Sequence, residues 1–164
     1  MYSSVNELYR ILKRLPDAVA VMSGAPNESE ISGTVKFYQG NGAVLVVADI
    51  FGLPVSQNAP EDKIFAFHIH SGTVCRGNNE DPFFNAGTHY NPDGSPHPYH
   101  RGDMPPLFSA NGMAFLAFLT DRFTVEEVIG KTVIIHSGPD DFTTQPSGNA
   151  GEKIACGTIS IVRR

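Results

Sequence analysis

The chain has 164 residues and a mass of 17.7 kDa, with 41% hydrophobic and 18% charged residues, a length that fits one domain able to bury about two-thirds of the surface of its unfolded form. Charge below the usual quarter, with ordinary hydrophobicity, excludes a disordered chain and a coiled coil. A net charge of −5 and a pI near 5.6 argue against nucleic acid or an anionic membrane as a partner, because a phosphate backbone calls for a basic face.

The opening stretch, MYSSVNELYRILKRLPDAVAV, lacks the apolar core and small-residue cleavage site of a secretory signal. No apolar run approaches the ~20 residues that span a bilayer. A cytoplasmic protein with no membrane partner is therefore expected. Val5, Leu8, Ile11, Leu12 and Leu15 share one helical face, with Ser3 or Ser4 as N-cap and Pro16 just beyond the end. This predicts a helical extension over residues 1–16, ahead of a single domain over 17–164. Short β-type runs follow: Ala18–Met22, Ile31–Tyr38, Ala43–Ile50, Ile64–His70, Met113–Leu119, Thr132–His136 and Ile154–Val162. Gln39-Gly40-Asn41-Gly42 reads as a hairpin turn between the second and third runs. Thr34, Lys36 and Tyr38 alternate with Val35 and Phe37 as on a half-exposed strand, whereas Val44, Val46 and Val47 belong to a buried one. Short strands at this spacing predict an antiparallel sandwich or barrel. Two stretches rich in turn residues, Ser71–Asn111 and Ser137–Gly151, interrupt the rhythm. A loop as long as the first belongs in a compact domain only when it is functional or held by something.

All six histidines fall between residues 68 and 136. His68 and His70 lie two apart in a strand, so their imidazoles share a face while Phe67 and Ile69 take the other. With His89 from the long loop and His136 at the end of another strand, they form a set of neutral imidazoles suited to Cu(II) or Zn(II). His97, His100 and Asp103 supply a carboxylate and two imidazoles within seven residues, three donors of the kind a tetrahedral Zn²⁺ accepts, with His89 as the natural fourth. Cys75 and Cys156 are the only cysteines. In an unexported chain two free thiols are the default.

These residues resemble the copper/zinc superoxide dismutase family, in a bacterial-type variant. The resemblance runs through Phe67-His68-Ile69-His70, Gly87-Thr88-His89-Tyr90-Asn91-Pro92, His100-Arg101-Gly102-Asp103, Ile135-His136 with Asp140-Asp141, and Gly148-Asn149-Ala150-Gly151-Glu152-Lys153-Ile154-Ala155-Cys156-Gly157. It implies an all-β fold, an eight-stranded antiparallel Greek-key β-barrel of the immunoglobulin-like sandwich class, with long metal-binding loops. The eighth strand is expected between Asp103 and Asn111. By the same resemblance His68, His70, His89 and His136 are copper ligands, and His89, His97, His100 and Asp103 are zinc ligands. His89 then bridges the metals and carries a proton during turnover, and Asp140 hydrogen-bonds one ligand of each metal from behind. Cys75 and Cys156 would form a disulfide, reversing the free-thiol default and closing a loop of about 80 residues. The implied substrate is the superoxide anion.

Departures from the family pattern carry expectations of their own. Lys153 stands where the family places an arginine beside copper, keeping the charge but losing the planar fork. Replacing Lys153 with Arg is expected to raise kcat/KM at low salt. The Ser137–Gly151 segment is short and carries no basic residue. Only Ser71 to Val74 separate His70 from Cys75, which shortens a segment that often makes the family's dimer contact. A homodimer by a non-standard interface, through the N-terminal helix, is expected instead. The copper donor is left open. The competing function is a non-catalytic copper-handling protein on the same scaffold.

Overall fold

The computed structural model describes residues 5–55 and 64–163. Helix α1 (Val5–Leu12) stops short of Leu15, and the expected caps Ser3 and Ser4 lie outside the described residues. The Arg14 amide closes the last turn on Ile11 O at 3.1 Å. The Arg14 guanidinium donates to Asp17 Oδ1 at 3.0 Å and to Gln39 O at 2.8 Å. These bonds stitch the extension to the sheet beneath it.

The strands are β1 (Ala18–Gly24), β2 (Ser32–Gln39), β3 (Val44–Phe51), β4 (Ile64–Phe65), β5 (Phe67–His70), β6 (Leu107–Phe108), β7 (Ala114–Thr120), β8 (Thr132–His136) and β9 (Lys153–Ile161). A curled antiparallel sheet runs in the order β5-β8-β9-β1-β2-β3-β7. β6 is the strand expected between Asp103 and Asn111, and it pairs with β4. β4 precedes β5 by one residue, and a bridge between Ala110 and Met113 joins β6 to β7. The small ladder therefore spans the gap between the two edge strands and closes the barrel. The expected run Ile64–His70 breaks at Ala66 because its two halves serve different neighbours, β6 and β8.

β2 and β3 form the predicted hairpin, with Gly40 N donating to Ala43 O at 2.9 Å and Gly42 at φ +81°. β3 is buried on both faces for two separate reasons. Val44, Val46 and Ala48 point into the barrel core, while Leu45 and Val47 lie under Ile11 of α1. Tyr38, expected on the half-exposed face of β2, is 4% exposed because it belongs to that covered patch. A short helix absent from the expected elements, α2 (Val125–Val128), is capped by Thr124 and Glu127 in a reciprocal capping box.

Candidate metal centre

β5 carries the first half of the site. Phe67 and Ile69 sit in the main core, so period-two alternation turns His68 and His70 outward, yet both are almost fully buried. The long loop supplies their cover. Along the free edge of β5, Ile69 N donates to Gly102 O at 2.9 Å and Tyr90 N donates to Ile69 O at 2.8 Å. Gly102 N in turn donates to Tyr90 O at 2.9 Å. The loop thus docks as irregular extra strands, bridging His68 with Asp103 and His70 with His89. Gly102 is needed for this approach, since a Cβ there would stand 2.2 Å from Ile69 O. His136 arrives at the end of β8, where a bulge sets it opposite Lys153.

Two groups of donor atoms result. In His68, His70, His89 and His136, and again in His89, His97, His100 and Asp103, one ligand atom of each residue lies within 4.8 Å of every other. All seven side chains are buried, and His89 belongs to both groups. In the second group His89 Nδ1 is 2.8 Å from Asp103 Oδ1, His97 Nδ1 is 3.1 Å from Asp103 Oδ2, and His100 Nδ1 is 3.2 Å from His89 Nδ1. Bonds of tetrahedral zinc length place neighbouring donors about 3.3 Å apart. In the first group His70 Nε2 and His136 Nε2 face each other at 3.3 Å.

The atoms behind these rings decide which nitrogen is free to bind. Asp140 accepts from His68 Nε2 through Oδ2 and from His97 Nε2 through Oδ1, both at 2.8 Å. A carboxylate only accepts, so the protons sit on Nε2 and the Nδ1 lone pairs point into the site. His70 Nδ1 donates to Gly87 O at 2.8 Å and His136 Nδ1 to Gly151 O at 3.2 Å, which frees their Nε2 atoms. His68 Nδ1, His89 Nε2 and His97 Nδ1 are buried with no hydrogen-bond partner. A buried unpaired nitrogen costs about 1–3 kcal/mol. Three of them at the inner corners of two donor clusters fit metal ions.

Burial lowers the pKa of His136 to about 3, with repulsion from His68 adding to it, and burial likewise holds His70 well below its ordinary value. Both rings are therefore neutral and ready as ligands near pH 7. Burial opposes ionisation of Asp140, but hydrogen bonds from His68, the Phe142 amide and His97 outweigh it and hold the carboxyl at about 2. Gly148 keeps that contact open, because a Cβ there would stand 2.0 Å from Asp140 Oδ1.

Two residues that secure the loops, Arg122 and Gln145, were not singled out by sequence patterns, whereas the Cys75–Cys156 pair was expected from the resemblance. Arg122 Nη1 donates to the carbonyls of Pro98, His100 and Asp103 at 2.9, 3.2 and 3.3 Å. Gln145 Nε2 donates to His97 O at 2.7 Å, and Gln145 Oε1 accepts from His97 N at 2.9 Å. Cys75 and Cys156 are bonded, with S–S at 2.06 Å, beside a small apolar cluster of Ala25, Phe83, Ala86 and Ile134. Lys153 lines the open cleft of about 1400 Å³ onto which His70, His89 and His136 face. Its ammonium is bonded to Asp81 Oδ2 at 2.6 Å and to Phe83 O at 3.3 Å.

A family model described as copper/zinc superoxide dismutase (SODC) matches residues 31–159. "Superoxide dismutase [Cu-Zn] 2" of Aquifex aeolicus (strain VF5) is 34% identical over 147 residues, covering 80% of this chain and 81% of that protein. "Superoxide dismutase [Cu-Zn]" of Schizosaccharomyces pombe is 35% identical over 162 residues, covering 88% of this chain and 97% of that one. "Extracellular superoxide dismutase [Cu-Zn]" of Rattus norvegicus is 28% identical over 166 residues, covering 94% of this chain and 63% of that one. The disulfide is compatible with a cytoplasmic or an extracellular setting. The curled antiparallel sheet, the paired donor clusters and these similarities agree, and the chain belongs to the copper/zinc superoxide dismutase family.

Proposed function

We propose that His68, His70, His89 and His136 hold copper and that His89, His97, His100 and Asp103 hold zinc, with His89 shared between them. The protein is an oxidoreductase that converts two superoxide anions and two protons into dioxygen and hydrogen peroxide. The observation that carries the residue assignment is the set of orphaned nitrogens His68 Nδ1, His89 Nε2 and His97 Nδ1. His89 is the decisive one: its Nδ1 sits against Asp103 in the second cluster while its Nε2 faces the first without a partner.

Copper in the four-histidine group supplies one-electron chemistry between Cu(II) and Cu(I), whereas zinc has no redox role. The chain's own part is to admit an anion and to deliver protons. His89 Nε2, on the ring that Asp103 orients at the inner end of the cleft lining, is the atom at which a proton is held and passed to the second superoxide. Asp140 fixes His68 and His97 in one tautomer and couples the two clusters through a single carboxylate. Lys153 and Arg76 are the two cations among the described residues of the cleft lining.

Loading the protein with copper and zinc, confirming the content, and following superoxide consumption tests the reading. The doubly loaded protein is expected to be active and a zinc-only preparation inactive. A fully copper-loaded protein that consumes no superoxide would sink it in favour of copper handling. We also infer a homodimer through the α1 side of the barrel. Leu12, Leu15 and, on β7, Phe115 and Leu119 are exposed, and Leu119 pairs with Leu45, which Ile11 covers. Light scattering should show a dimer that becomes a monomer when residues 1–16 are removed; a monomeric full-length chain overturns the inference.

A further inference from the structure

The cleft in front of the histidines is not a basic funnel. Among the described residues that line it, Arg76 and Lys153 face three carboxylates, Glu80, Asp81 and Glu152. Of the two cations on this lining, Lys153 stands opposite His136 at the bulge between β8 and β9. Its ammonium is committed to Asp81 at 2.6 Å, with the two side chains 15% and 33% exposed. Asp81 is itself fixed. Its Oδ1 accepts from Phe83 N at 2.9 Å, its amide donates to Asn78 Oδ1 at 2.9 Å, and its carbonyl accepts from Asn78 N at 2.9 Å. Cys75, earlier in the same loop, is bonded to Cys156 on the same strand as Lys153. The carboxylate therefore stays in place, and the flexible lysine stem must come to it.

We propose that Asp81 is a positioning residue that restrains anion capture by holding the Lys153 ammonium on the loop side of the cleft and cancelling most of its field. Opposite charges in contact leave a dipole, whose field dies away much faster with distance than that of a free charge. At the several ångströms over which a small anion is steered, the pair contributes little. A guanidinium can fork to two partners at once, whereas lysine is a single point charge that one carboxylate can occupy. Asp81 thus tunes the residue that departs from the family pattern. The inference rests on the copper assignment above.

Asp81→Asn tests it, because the amide keeps an acceptor for the Phe83 amide while removing the ion pair. In the copper- and zinc-loaded protein, azide titrated against the copper visible band reads the cleft charge without turnover. Asp81→Asn is expected to tighten azide binding about threefold at low ionic strength, less than a fully focused field gives, and to raise kcat/KM similarly with a steeper salt dependence. Glu80→Gln makes the same change in charge one residue away without releasing Lys153, and a smaller gain is expected. Asp81→Glu, which can still reach the ammonium, should behave like the parent. Equal gains in Asp81→Asn and Glu80→Gln, or weaker azide binding in Asp81→Asn with unchanged melting temperature and metal content, would overturn the proposal. If the loaded parent binds azide but consumes no superoxide, the functional reading fails while the azide series still decides the role of Asp81.

Discussion

At the scale of single residues, Asp140 ties the two donor clusters together from behind. It is buried, it is ionised well below neutral pH, and each of its oxygens fixes one imidazole from a different donor cluster. Asp140→Asn keeps the shape but sets an amide N–H₂ against one of the two ring N–H groups. That ring must then flip its tautomer or leave the bond, and either change misaims a nitrogen now pointing into its donor cluster. Groups behind metal ligands are commonly worth about tenfold to a hundredfold in affinity. Competition with a chelator should show Asp140→Asn losing both copper and zinc faster than the parent. Equal retention would mean that the loops alone orient the rings. The residues of the two donor clusters were legible in the sequence because His and Asp at that local spacing suit metal chemistry. The place of Asp140 behind His68 and His97 followed only from the family resemblance. Arg122, Gln145 and Asp81 were not legible. Each acts on backbone or on a partner distant in sequence, and nothing in a lone Arg, Gln or Asp marks where its side chain lands.

At the scale of elements, the strands were readable because alternation and β-branched runs reflect burial directly. What escaped was determined by neighbours. Ala66 interrupts a continuous apolar run because its two halves pair with different strands. Tyr38 is buried because a helix lies over it. α2 did carry a local signal, Thr124 three residues before Glu127, the capping-box pattern. The long loop was legible as a segment that something must hold, but not how: it draws its order from edge bonds to β5, from Arg122 and from the Cys75–Cys156 bond, whose partners are 81 residues apart. That bond restricts the unfolded chain, and removing such a bridge typically costs about 2–5 kcal/mol. The double substitution Cys75→Ser/Cys156→Ser should therefore lower the urea midpoint of the metal-free protein while the edge bonds keep β5 covered. An unchanged midpoint would show that the loop is held without it.

For the whole molecule, clustering so many imidazoles in a dry site ties stability to pH. Burial moves His136 from the ordinary 6.5 down to about 3 in the folded state. Between those values the unfolded chain holds a proton on this ring that the folded chain does not, so lowering the pH favours unfolding. His70 is lowered for the same first reason, burial, and pushes in the same direction. Asp140 adds a second step in more acid solution. Its pKa falls from 3.8 to about 2, so its stabilising contribution is intact above 3.8 and is lost as the pH drops through 2. The metal-free protein should accordingly hold a steady melting temperature above pH 6.5 and lose stability progressively between about 6.5 and 3. Bound metal extends the same dependence, because its ligands must be unprotonated and acid competes for them. Calorimetry of the metal-free protein at pH 7.5 and pH 5.0 checks the sign. A melting temperature equal or higher at pH 5.0 would mean that the rings gain protons inside the folded state, and that the buried carboxylates Asp103 and Asp140 stabilise imidazolium more than burial opposes it.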